Sequence, residues 1–358
     1  MTSIKTKNAV IHFNKEVYVE LNKYIKATKP SNIFVLVDTN THEDCLPSFL
    51  AELKSGEIIV EVMEMPEGED HKTIDICTGV WEALSDYNAD RKSLMINLGG
   101  GVVTDLGGFV ASTYMRGIDY INIPTSLLAM VDASVGGKTG VDLGTLKNQI
   151  GVISEASMVL IDTAFLDTLP PQQMVSGYAE MLKHGLIYDK NYWETLLNFE
   201  KLTLSDLDDL IYDSVVIKNK VVTEDPGEQG LRKILNFGHT LGHAIESYFL
   251  GNADKTPLLH GEAIAIGMIL EAYLSNKTTG LPDSELKAIT DGILKTFNKV
   301  DISLNDQKFI FNLLKHDKKN SHGIVKFVLL EAIGKPKIDC QVENDLITEA
   351  FEYYNSQN

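Results

Sequence analysis

Two histidines four residues apart, His239 and His243, stand in the stretch NFGHTLGHAIE (236–246). On a helix that spacing puts both imidazoles on one face, where they can share a metal ion and its substrate. His260 opens a later apolar stretch in HGE, and Glu180 lies in SGYAEMLKHG (176–185). One carboxylate and two imidazoles give a zinc ion three ligands and leave a position open for a reacting oxygen. Taken singly, His239 or His260 serves equally well as a hydrogen-bonded helix histidine. The set, with a glycine beside each of the two, points to metal. Thr240 stands where the zincin motif needs glutamate, which argues against a metalloprotease. Lys183, three residues after Glu180, reads as a surface ion pair, and His184 as packing.

A second constellation is anion-binding. In NLGGGVVTD (97–105) three glycines stand where a strand meets a helix, so backbone N–H groups and a helix N-terminus can face a phosphate. The run is not a GxGxxG fingerprint, and it serves a nucleotide or a tight structural turn equally well. Asp38, at the end of an earlier strand, suits ribose hydroxyls or an ordinary strand-end turn. The segment DASVGGKTG (132–140) fails the Walker A test, because Asp132 stands where the first glycine is needed. What remains is a Gly-Gly hinge presenting Lys138, with Lys147 and Asn148 following in one loop. Its apolar flank SLLAMV favours a buried, anion-facing lysine. Lys218, Arg232, Lys318 and Lys319, taken singly, read as solvated helix charges.

These residues need a scaffold, and 358 residues suffice for two domains. With 44% apolar and 23% charged residues the chain buries a sizeable core. A net charge of −18 disfavours binding to nucleic acid, although a local basic cluster can still hold an anionic substrate. The longest apolar run, Ala263 to Leu270, stops at Glu271, well short of the roughly 18 residues that span a bilayer, so no membrane association is expected. The N-terminus lacks the pattern of a secretory signal, and a cytoplasmic location is expected. Cys45, Cys77 and Cys340 lie far apart with no CxxC spacing, so any metal uses histidine or carboxylate.

Apolar runs at 33–38, 57–63, 93–101, 120–125 and 158–162 alternate with helical patterns at 73–89 and 104–114, an α/β arrangement. Beyond Pro170-Pro171 helical segments dominate, at about 171–189, 204–223, 231–249, 260–276, 283–297 and 304–316, with one strand at 323–330. The spacing predicts two domains, 1–169 and 170–358, packed around a cleft.

With these motifs in view, the chain resembles the 3-dehydroquinate synthase family of the shikimate pathway. The resemblance rests on PEGEDHK (66–72), GGGVVTDLGGF (99–109), the long stretch 115–151, SGYAEMLKHGLI (176–187) and GLRKILNFGHTLGHAIE (230–246). It implies a Rossmann-like α/β N-terminal domain that binds NAD, followed by a mainly α-helical metal-binding domain. It makes Glu180, His239 and His260 the ligands of zinc, with cobalt or another divalent ion as alternatives. The nucleotide would meet Asp38, then Glu67, Gly68, Glu69, Asp70, His71 and Lys72, then Gly101, Val102, Val103, Thr104 and Asp105. Thr125, Ser126, Lys138 and Lys147 would follow, and finally Phe165, Leu166, Asp167 and Thr168, with Gln172 nearby. Substrate contacts would come from Arg116, Asp132, Lys138, Asn148, Lys183, Lys218, Arg232, Asn236, His243 and one of Lys318 or Lys319. In the family the arginine at position 116 reaches the neighbouring subunit's site, which implies a homodimer. Ser126 stands where many members have threonine, tyrosine often replaces His184, and GNADKTPLL lengthens the path from His243 to His260.

The activity implied is conversion of a small anionic sugar phosphate, 3-deoxy-D-arabino-heptulosonate 7-phosphate, to 3-dehydroquinate and phosphate, with NAD recycled. One rival is a cyclase of the same fold making a valiolone or a deoxy-inosose. Arg232 and the Lys318-Lys319 pair favour the heptulosonate. A more distant rival is a metal-dependent polyol dehydrogenase, which would accumulate NADH. The complete set of Glu180, His239, His243 and Lys138 argues against an NAD-binding sensor without catalysis.

Overall fold

The computed structural model describes residues 2–144, 146–197, 204–315 and 325–357, which form two compact units. The first comprises Met1–Met174 with Asp208–Asn219, and the second Val175–Leu207 with Lys220–Asn358.

Among the described residues, nine strands lie in the first unit: β1 (Ile4–Lys5), β2 (Val10–Phe13), β3 (Asn32–Asp38), β4 (Ile59–Met65), β5 (Leu94–Gly99), β6 (Asp119–Pro124), β7 (Lys138–Leu143), β8 (Leu146–Ile153) and β9 (Met158–Ile161). Seven form one sheet in the order β1-β2-β9-β6-β5-β3-β4, parallel except for the β1/β2 pair. Ile33 to Val37 are wholly buried and β5 is buried along its length, as the central strands of a covered parallel sheet must be. The apolar runs legible in the sequence are β3, β5, β6 and β9, together with β4 at the sheet edge. Helices α1 (Val17–Thr28), α2 (Thr39–Asp44), α3 (Leu46–Glu52), α4 (Ile74–Asp86) and α5 (Gly101–Thr113) complete the α/β pattern. α5 starts three residues before the expected Thr104, because Gly101 to Val103 already take helical backbone and only Gly100 remains as the cap.

The segment carrying Lys138, Lys147 and Asn148 is not a loop but the antiparallel hairpin of β7 and β8, and Lys138 is exposed at its start. Glycines and lysines masked the strand signal, yet Gly140 and Gly151 face each other across the ladder so closely that a Cβ on either would strike backbone.

The second unit is helical as expected. Its helices are α6 (Pro171–Tyr188, begun in the first unit), α7 (Lys190–Leu196), α8 (Leu204–Glu224, whose middle belongs to the first unit), α9 (His239–Leu250), α10 (His260–Thr278), α11 (Asp283–Leu294), α12 (Leu304–Lys315) and α13 (Asn344–Ser356). A small antiparallel pair, β10 (Phe327–Ala332) and β11 (Lys335–Cys340), joins them. α10 is buried on nearly every side and packs against α9, α11, α13 and β10. The single helix expected over 231–249 is broken. A 3-10 turn spans Leu231–Asn236, and Gly238, at φ +78, redirects the chain before α9 begins. α9 and α10 then cross at backbone contact: a Cβ on Gly267 would lie 2.0 Å from the Gly238 carbonyl oxygen and 2.8 Å from the Gly242 nitrogen.

Candidate functional site

Three helices of the second unit bring the four candidate metal-site residues together. Glu180 comes from α6, His239 and His243 from the first two turns of α9, and His260 from the first residue of α10. Glu180 is fully buried, and its Oε1 lies 3.3 Å from His239 Nε2 and 3.5 Å from His260 Nε2. Despite those distances that oxygen takes part in no well-formed hydrogen bond. The outward-facing ring nitrogens explain why. His239 Nδ1 is 3.0 Å from the Phe237 carbonyl and His260 Nδ1 3.3 Å from Glu246 Oε2, so each imidazole turns its Nε2 to the carboxylate. His243 stands beside both, and nitrogens of the three imidazoles lie within 4.8 Å of one another.

For an ion at this cluster, the three histidines compete with Glu180 and the two imidazoles that face it. The common focus of the two Nε2 atoms is Glu180 Oε1, which favours the second. Glu180 Oε1, without a hydrogen bond, and two imidazole nitrogens face one point, and a divalent cation that displaces the imidazole proton fits that chemistry.

The electrostatics follow from burial and pairing. Lys183 forms an ion pair with Glu180 inside the core, not at the surface as its i,i+3 spacing suggested, because the whole α6 face from Ser176 to Ile187 is covered. Although burial opposes its charge, Glu180 is held well below the usual carboxylate range by Lys183 and His239. Burial, aided by Lys183, lowers His239. Burial works against charge at His260 too, but the carboxylates of Glu246 and Glu180 push it up to about 10. Sequence reasoning gave Glu246 no role. Its position three residues after His243 on one helix face was the available signal.

The connection 251–259 before His260 is fastened to α12. Lys255 Nζ lies 2.7 Å from Asp306 Oδ2, while Tyr248 donates to Oδ1 at 2.5 Å. Despite partial desolvation these partners hold Asp306 at about 2. Upstream of α9, Arg232 is buried, not solvated as its isolated charge suggested. It donates through Nη1 to the Pro226 carbonyl, and Asn236 donates to Glu228 Oε1 at 2.7 Å. Lys318 and Lys319 lie outside the described residues.

In the first unit Asp38, Gly101 to Asp105 and Thr125-Ser126 stand at or just after the C-terminal ends of β3, β5 and β6, while the other candidate nucleotide residues follow β4 and β9 or lie on the β7–β8 hairpin. Gly100 caps α5 without a side chain, and a Cβ there would close to 3.3 Å from Ser126 Oγ. With glycine there, no side chain obstructs the first N–H groups of α5. Asp38 Oδ1 accepts from the Thr41 N–H at 2.8 Å, so the strand-end turn is real and occupies one oxygen of the pair. Thr104 donates back to the Gly100 and Gly101 carbonyls. Glu67 and Gly68 lead into an accessible 3-10 turn at Glu69–His71, whereas Lys72 is buried and donates to Asp105 Oδ2 and Asn148 Oδ1, each at 2.7 Å. Burial opposes its charge, yet Asp105 and Glu69 raise Lys72 above the usual lysine range. Lys72 is thus the buried lysine that sequence reasoning placed at Lys138. Lys147 lies 3.0 Å from Glu69, and Phe165 is buried in a 3-10 turn whose Leu166, Asp167 and Thr168 are more accessible.

Two expected substrate residues meet within this unit. Lys218 is buried and donates to both the backbone carbonyl and, at 2.7 Å, Oδ1 of Asp132, which sits in a π-helical turn (Ala129–Ala133). Met115, Arg116 and Gly117 are three consecutive residues at positive φ, and Arg116 is exposed.

The architecture is that of the sugar phosphate cyclases. A solved 2-deoxy-scyllo-inosose synthase, complexed with carbaglucose-6-phosphate, NAD+ and Co2+, matches with a TM-score of 0.85 and 28% identity over 98% of this chain and 99% of that one. Family models take the match further: 3-dehydroquinate synthase N-terminal covers residues 62–176 and 3-dehydroquinate synthase C-terminal residues 177–320. The 3-dehydroquinate synthase of Parabacteroides distasonis is 42% identical over 95% of this chain and 96% of its own. That of Thermoanaerobacter pseudethanolicus is 37% identical over 96% and 97%. The chain belongs to the 3-dehydroquinate synthase family. Among the described residues no helix is long and apolar enough to cross a membrane.

Proposed function

We propose that this chain converts 3-deoxy-D-arabino-heptulosonate 7-phosphate to 3-dehydroquinate and phosphate, as a carbon–oxygen lyase acting in the cytoplasm as a homodimer. The observation that carries the reading is the buried, unsatisfied Glu180 Oε1 facing two imidazole Nε2 atoms in a chain of this family. Glu180, His239 and His260 would hold a zinc-class ion, while Asp38 through its second oxygen, the 67–72 turn, Gly101 to Asp105, Thr125 and Ser126, Lys138, Lys147 and 165–168 would hold NAD. When bound, the two supply reversible hydride exchange at C5 of the sugar and polarisation of its neighbouring oxygens.

The remaining work falls to side chains. With C5 at the ketone level the adjacent C6–H is acidic, and phosphate can leave by β-elimination before re-reduction, ring opening and aldol closure. His243, beside the ligand pair, handles the proton at the leaving phosphate oxygen. Lys138, Asn148, Lys183, Lys218, Arg232 and Asn236 hold the phosphate and carboxylate, with Asp132 orienting Lys218. The Lys72 bridge joins the start of α5 to Asn148 and so ties the nucleotide loop to a substrate contact. Arg116, exposed on its strained turn, is assigned to the partner's site.

Phosphate release from the heptulosonate phosphate, with and without NAD+ and a chelator, tests the reading. Release should need both the metal and catalytic NAD+, with no net NADH, and deuterium at C5 should be retained. Stoichiometric NADH would move the assignment to a polyol dehydrogenase, and turnover of a different sugar phosphate instead would move it to another cyclase.

A further inference from the structure

α9 carries two of the four clustered residues in its first two turns, yet its own N-cap, Gly238, has no side chain to bond the free N–H groups there. The missing acceptor comes from another helix. Glu271, fully buried on α10, accepts from the Gly238 N–H through Oε2 at 2.7 Å and from the Leu241 N–H through Oε1 at 3.2 Å. Leu241 is the third residue of α9, the position an N-cap side chain ordinarily serves. Glu271 follows Gly267 by one helical turn, so the face of α10 that touches the α9 backbone also supplies the cap.

We infer that Glu271 is a positioning residue for the metal site: by capping α9 from α10 it fixes the phase of the helix bearing His239 and His243 against the helix that begins at His260. The carboxylate faces the positive end of α9, which holds it in place, and its two oxygens bond two different residues, which fixes rotation as well as distance. Ligand nitrogens that must meet an ion within a few tenths of an ångström need such support. This inference rests on the metal reading proposed above.

The test compares wild type with Glu271→Gln, which keeps the shape but only one acceptor oxygen, and with Ser275→Ala, one turn further along α10, as a control for general weakening of that helix. Zinc affinity is measured on the metal-free proteins by chelator competition, and the visible d–d spectrum is recorded after cobalt loading. The expected result is a loss of affinity on the order of tenfold or more for Glu271→Gln, with a shifted cobalt spectrum and neither change in Ser275→Ala. Equal affinities and identical spectra in all three proteins would overturn the role of Glu271, whereas a wild type that binds no divalent ion would overturn the metal reading itself. If Glu271→Gln does not fold, hydrogen exchange on the wild type decides. The amides of Gly238 and Leu241 should already be protected without metal, and protection arising there only on zinc addition would mean the ion, not Glu271, places the helix.

Discussion

Replacing Gly261 by alanine should dismantle the metal site while leaving the protein folded. Gly261 follows His260 at the start of α10 and donates its N–H to Ser176 Oγ at 2.9 Å, and Ser176 lies one turn before Glu180 on α6. A Cβ at 261 would fall 2.0 Å from the Ser176 carbonyl oxygen, 2.5 Å from its Cα and 2.6 Å from its carbonyl carbon. These are backbone atoms and cannot rotate aside. A carbon–oxygen contact needs about 3.3 Å, so the helices must part by roughly 1.3 Å. His260 moves with α10 and Glu180 stays with α6, whereas ligand positions tolerate only about 0.2 Å. The expected cost is about 1–3 kcal/mol of stability from overpacking, and a loss of zinc affinity on the order of 100-fold. Chelator competition measures the affinity and urea unfolding the stability. Gly79→Ala, on α4 with open space around its Cβ, serves as the control: it should leave zinc affinity unchanged and raise stability by about 0.5–1 kcal/mol. A Gly261→Ala protein that binds zinc within threefold of wild type would refute the argument that this helix contact sets the ligand distances.

Metal binding should release protons. His260 titrates near 10 in the metal-free fold against 6.5 for an ordinary histidine, so at pH 7.5 it carries a proton that the ion must displace. Calorimetry in two buffers of different ionisation heat should give about one proton released per ion, and none released would show that His260 is not a ligand. In the metal-free protein the same raised value means that charged His260 contributes its full stability below about pH 6.5, a contribution lost as pH rises through 10. Lys72→Met should destabilise the first unit by about 3–5 kcal/mol, because Asp105 is left inside without its cation. Urea unfolding checks this, and the double variant Lys72→Met, Asp105→Leu should recover most of the loss.

The central sheet was readable because β3, β5, β6 and β9 are buried apolar runs whose composition declares them. The β7–β8 hairpin was not, since its ladder depends on two facing glycines, a contact between residues eleven apart. At the metal site the four-residue spacing of His239 and His243 put both on α9 from sequence alone. What no local pattern could show is that Lys183 lies inside, because its burial depends on what covers α6. Nor does the sequence of α9 reveal that its cap is supplied from α10, thirty-three positions later. Arg232 and Lys218, which taken singly look solvated, are buried for the same kind of reason: a charge looks solvated until the fold has been built around it.

The nine-residue connection between α9 and α10 has a different meaning once its ends are considered. Both are fixed independently of it, by the Gly267 crossing on one side and the Gly261–Ser176 contact on the other. A tether between two anchored points pays only for closure, and doubling its length costs about 0.6 kcal/mol. The path from one ligand to the next is thus free to drift in length and composition during evolution, so long as an occasional pin such as Lys255–Asp306 keeps the slack off the site. An insertion here leaves the coordination chemistry untouched, and this connection is the natural place to graft a tag or a reporter peptide.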